Sequence, residues 1–131
     1  MKSKKLKKAK KIKVVPIPRL MKKADKAFSQ YVRDRDGKCV LDCDKCTTVI
    51  QCGHLIRRGK LSVRFDETNC NAQCSYHNFL HNSEPEHYYR WFIKNYGHLP
   101  LIDLVDRSKI KMKLPTSELR DYLYSIIKKY S

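Results

Sequence analysis

The chain has 131 residues and a formal charge of +16, from 29 basic and 13 acidic residues. That length supplies one modest core, and no stretch approaches the roughly 20 apolar residues of a membrane span. The charge points to a polyanionic partner, most simply nucleic acid, and the lack of an apolar span leads to the expectation of no membrane partner.

The charge is also unevenly placed. Residues 1–23 carry 11 basic residues and no acidic one, and the remainder still keeps 18 basic against 13 acidic residues. The N-terminus has the positive region of a secretion signal without a following apolar segment, so a cytoplasmic location is expected. Six cysteines, at positions 39, 43, 46, 52, 70 and 74, then point to metal rather than to disulfides.

Residues 1–13 hold eight lysines, and a disordered basic arm is expected, running to about residue 18 through an extended spacer at Pro16 and Pro18. A single domain over 19–131 follows. Leu20, Ala24, Ala27, Phe28, Tyr31 and Val32 share one face of a helix predicted from about Leu20 to Arg35, ended by Asp36 and Gly37. The α+β core is expected at about 38–83, with helical support over 19–36 and 84–130. It begins with a cysteine-rich turn and a β-prone run from Thr47 to Gln51. An extended basic loop over 53–67, a short strand over 69–73 and a short helix from Ser75 to about Asn82 complete it.

Ser83 and Glu86 have the spacing of a capping box for an aromatic helix reaching Tyr96 and stopped by Gly97. Its aromatic residues read mainly as core anchors. A further helical segment covers 99–107. The last helix is capped at Thr116, and the apolar face of residues 119–130 needs a partner, either the first helix or a second copy of the chain in a homodimer.

Two constellations carry the chemistry. Cys43 and Cys46 enclose two residues, as do Cys74 and His77, and that spacing suits a tetrahedral zinc ion with four protein ligands, hence a structural one. Cys39 is an alternative to Cys43, while Cys52 and Cys70 read as buried small apolar residues. The second constellation is His54, Asn69, Asn78 and His81. Phosphodiester hydrolysis needs a base for the attacking water and a cation at the phosphate. A histidine at a strand end with a metal ligand on a nearby helix would supply both.

His54, Asn69 fifteen residues later and Asn78 nine residues after that resemble the HNH nucleases. More narrowly, Ile50-Gln-Cys-Gly-His54, Arg57-Arg-Gly and Ser62-Val-Arg-Phe-Asp66 resemble the NinG (Rap) recombination proteins of lambdoid phages. The resemblance covers about residues 30–97. It implies a zinc-stapled ββα-metal core and a metal-dependent DNA endonuclease acting on branched recombination intermediates such as Holliday junctions, phage-encoded and working in the host cytoplasm. By the same resemblance His54 is the general base, and Asn69 orients that histidine or its loop. Asn78 and His81 hold a catalytic cation, magnesium or manganese, while Arg57, Arg58, Lys60 and Arg64 are expected to hold flanking phosphates. The pattern departs at Gly53, where many HNH enzymes place an aspartate or histidine metal ligand. That departure supports an alternative reading, a zinc-stapled protein that binds junction or duplex DNA without cutting it.

Overall fold

The computed structural model describes residues 14–131, so the expected disordered arm over residues 1–13 lies outside them. Helix α1 spans Ile17–Asp36. Pro18 therefore belongs to its first turn, where a missing N–H costs no hydrogen bond, and not to an extended spacer. Gly37 ends the helix at φ 74°, its N–H donating to the Arg33 carbonyl at 2.8 Å. A residue with a side chain is strained in that left-handed conformation.

Leu20, Ala24, Phe28 and Val32 are the buried stripe of α1. Helix α6, Thr116–Tyr130, lies against that stripe through Leu119, Tyr122, Leu123, Ile126 and Ile127. The Tyr130 ring meets Phe28 edge-on at 5.0 Å. The apolar face that needed a partner thus finds it in α1, which takes away the basis for a homodimer through α6.

The chain next forms a two-stranded antiparallel hairpin, β1 (Ile50–His54) and β2 (Cys70–Cys74), with Ile50 opposite Cys74 and His54 opposite Cys70. The first strand begins three residues later than its β-prone run. Thr47 is drawn off by a hydroxyl–hydroxyl hydrogen bond to Ser75 of 2.5 Å. The connection between the strands contains one helical turn, α2 (Leu61–Arg64), where an extended loop was expected. Helix α3 (Ser75–Leu80) starts directly at the end of β2.

Helices α4 (Glu86–Tyr96) and α5 (His98–Ser108) follow. The capping box does not form, because Pro85 occupies the cap position and the Ser83 hydroxyl instead donates to the Leu80 carbonyl. Pro115, not Thr116, precedes the first residue of α6 in the cap position. Tyr88 and Phe92 of α4 join Leu55, Val63 and Leu104 in a second apolar cluster, as the core reading of the aromatic helix requires. Tyr96 stays exposed. The described architecture is α+β: one hairpin with α3 attached, α1 and α6 on one side, and α4 and α5 on the other.

Candidate metal centre and cleft

The backbone brings one soft-donor cluster together at the open end of the hairpin. Val40 donates to the Ala72 carbonyl at 2.9 Å, which lays the segment after α1 alongside β2 and sets Cys39 next to Cys74. His77 lies in the first turn of α3, and Cys46 closes the turn from the other side. The Cys39, Cys46 and Cys74 sulfurs lie 3.4, 3.5 and 3.1 Å from His77 Nδ1. Ligands bound at zinc's usual distances sit about 3.5 Å apart around a tetrahedron. The four residues therefore fit zinc in both donor chemistry and spacing.

This corrects the assignment of Cys43. Its sulfur lies 3.2 Å from His77 Nε2, the opposite ring nitrogen, and it is exposed. An imidazole offers a given ion one nitrogen, and three sulfurs already surround Nδ1. The effective spacing is set by the Val40–Ala72 pairing and not by a two-residue gap.

Burial pushes the Cys74 thiol up, but the His77 and Thr47 backbone groups and the His77 ring draw it down to about 6. The Cys43 backbone draws Cys46 down, yet burial and the Cys74 and Cys39 sulfurs push it up to about 12. Crowding of the sulfurs thus opposes a second thiolate in the cluster, and a bound cation would relieve that opposition.

At the other end of β1 the His54 ring nitrogen Nε2 lies 2.9 Å from the Arg64 carbonyl. A carbonyl only accepts, so Nε2 carries the proton and Nδ1 keeps a lone pair. Burial lowers the His54 pKa, against the upward pull of that carbonyl bond. The burial favours the uncharged ring, and the hydrogen bond through Nε2 leaves Nδ1 as the nitrogen available to accept a proton.

Asn69, fully buried on the β2 side, directs its hydrogen bonds elsewhere than to this ring. Its Oδ1 accepts from the Ile56 N–H at 2.8 Å, and its Nδ2 donates to the Ile56 and Val63 carbonyls at 3.0 Å each. It pins the loop that leaves His54 and the turn that supplies Arg64, so its effect on His54 is indirect.

His54 opens onto a cleft of about 890 Å3 whose lining includes Arg57, Arg58, Lys60, Asn78 and His81. Asn78 Nδ2 donates to Gln51 Oε1 at 2.9 Å. His81 Nε2 donates to the Leu55 carbonyl at 2.8 Å, and its Nδ1 is buried with no hydrogen-bond partner. Arg64 does not line the cleft. Its guanidinium is held by Asp25, with Nε to Oδ1 at 2.9 Å and Nη2 to Oδ2 at 2.5 Å, so it ties the loop to α1 and is not free for phosphate.

Asp25, the one carboxylate among the described residues lining the cleft, is engaged by that pair. A magnesium or manganese ion here would find neutral protein donors. The orphaned Nδ1 of His81 and the amide of Asn78 fit that role only if phosphate oxygens and water complete the shell.

The Gln73 carboxamide lies across Gly53, where a Cβ would meet Gln73 Cδ at 2.6 Å; the neighbour is the end of a flexible side chain that can swing away, so the contact alone does not require glycine. Both polar atoms of Gln73 are buried without a partner. Sequence reasoning passed over Gln73, Asp25 and Asn82. Asn82 lines the cleft one helical turn beyond Asn78, a four-residue spacing visible in the sequence.

The family model described as Bacteriophage Lambda NinG protein matches residues 1–130. No curated protein and no solved structure matches the chain. Among the described residues no helix is long and apolar enough to cross a membrane.

Proposed function

Because this chain belongs to the NinG family of bacteriophage proteins, we propose that it is an HNH-type, metal-dependent DNA endonuclease that hydrolyses phosphodiester bonds in branched recombination intermediates. The observation that carries this reading is the setting of His54. Its imidazole, hydrogen-bonded through Nε2 to the Arg64 carbonyl, faces a cleft bordered by Arg57, Arg58 and Lys60. The reaction needs that combination of a free basic nitrogen beside cationic groups that hold a phosphodiester.

In this mechanism the phosphodiester enters along the arginine-lined edge. His54 Nδ1 takes a proton from water as the water oxygen bonds to phosphorus, and one P–O ester bond breaks. The leaving oxygen is protonated from solvent. Asn69 keeps the loop in register so that the Arg64 carbonyl stays on Nε2. A divalent cation held by Asn78, His81, substrate oxygens and water would neutralise charge on the phosphate and the departing oxygen. A zinc held by Cys39, Cys46, Cys74 and His77 would have four protein ligands and no open position, and so would serve structure alone.

Gly53 and the engaged Asp25 favour a second reading, in which the protein binds branched DNA without cutting it. Incubation with four-way junction, duplex and single-stranded DNA decides between the two. With magnesium or manganese the nuclease nicks the junction, and a chelator of the added ion stops it. Binding to all junction preparations with no cleavage under either metal would replace the endonuclease reading with the binding one.

A further inference from the structure

The hairpin carries a second group of soft donors on the face opposite Gly53 and Gln73. Residues two apart on a strand share a face, so Cys52 and His54 point the same way. Register sets Cys70 directly across from His54. One ligand atom from each of Cys52, His54 and Cys70 lies within 4.8 Å of the others. None of the three belongs to the cluster around His77.

We propose that Cys52, His54 and Cys70 form a second binding site for a thiophilic divalent cation of the zinc class, with its fourth position open to the cleft. Two sulfurs and an imidazole are a donor set that zinc accepts with one position left for water or substrate. Cys52 and His54 line the cleft, which gives an ion a route in, while Cys70 is fully buried behind them. The Arg64 carbonyl on the His54 ring is the kind of outer contact that orients a metal-bound histidine. A magnesium ion would not compete for such donors, because it takes oxygen ligands.

The site overlaps the proposed nuclease base, and this consequence rests on the endonuclease reading. An ion held by His54 and the two thiolates removes the base from the reaction. Zinc in excess of one equivalent therefore inhibits manganese-dependent cleavage, at least tenfold at saturation, and Cys52→Ser relieves that inhibition.

The direct test uses the full chain, reduced and holding one zinc, titrated with cobalt(II) under anaerobic conditions while a chromophoric indicator reports any zinc displaced. The expected result is one added cobalt per chain with a thiolate-to-cobalt charge-transfer band and no zinc released. Cys70→Ala and Cys52→Ser each lose that band. Cys52 is only half buried, so Cys52→Ser keeps the test usable if Cys70→Ala fails to fold, with circular dichroism as the check. No band in the wild type, or an undiminished band in folded Cys52→Ser, overturns the proposal. A band without cleavage under any metal removes the endonuclease reading and leaves the site standing. Cleavage without a band does the reverse.

Discussion

The two ends of the hairpin differ in how complete their chemistry is. At the open end, Cys39, Cys46, Cys74 and His77 form a closed, soft, four-donor set that needs nothing from outside the chain. At the other end, His54, Asn78 and His81 border an open cleft with neutral donors, an orphaned ring nitrogen and, among the described residues, no free carboxylate. The closed end resembles a staple and the open end a site finished by its ligand. The difference separates the proposed structural staple from the proposed reactive site.

The largest effect should come from breaking the closed end. Cys39→Ser is expected to lose the tightly held zinc and with it the cooperative thermal transition, since structural zinc is worth on the order of 10 kcal/mol in small metal-dependent domains. Cys43→Ser is expected to keep both. Zinc content and calorimetry on the two variants read the contrast, and equal losses would restore Cys43 as a ligand.

Next in size is Asn69→Leu. It strands the Ile56 N–H and carbonyl and takes one of several donors from the Val63 carbonyl, which the Asp66 N–H still reaches at 3.3 Å, and about 2–4 kcal/mol of stability should be lost in urea unfolding. Zinc should be retained, which distinguishes damage to the loop from damage to the staple. A loss below about 0.5 kcal/mol would mean that the loop holds without it.

A third contrast is pH. The base works unprotonated, and burial lowers the His54 pKa. The acid limb of cleavage should therefore have its midpoint below the ordinary histidine value of about 6.5, with full activity above it. A single-turnover pH profile with a midpoint above that value would assign the limb to another group. The smallest effect is expected at the rim. Arg57→Ala should leave stability unchanged and flatten the salt dependence of DNA binding by roughly one counterion, whereas Arg64→Ala should destabilise the fold through loss of its pair with Asp25.

Much of this was legible in the sequence because it depends on local periodicity. The four-residue rhythm of Leu20, Ala24, Phe28 and Val32 gives α1, and the aromatic spacing of Tyr88 and Phe92 gives the second core. The Cys/His composition pointed to a cluster that could hold zinc, and three of its four members, Cys46, Cys74 and His77, were among the expected ligands. The fourth was obscured because Cys39 reaches the cluster through a backbone pairing of Val40 with Ala72, a tertiary contact without a sequence spacing. Arg64 looked like its neighbours Arg57 and Arg58 because nothing local reveals that Asp25, thirty-nine residues earlier, holds it. Gly53 looked like a missing ligand. The register of the hairpin brings the Gln73 carboxamide over it, a neighbour that no sequence spacing announces.

The most direct measurement compares wild type and His54→Ala on a four-way junction with manganese, recording cleavage, binding and zinc content on the same preparations. The account predicts that His54→Ala cuts at least a hundredfold more slowly, while it binds the junction as tightly as wild type and carries the same zinc in its Cys39 cluster. Equal cleavage by the two proteins would contradict it.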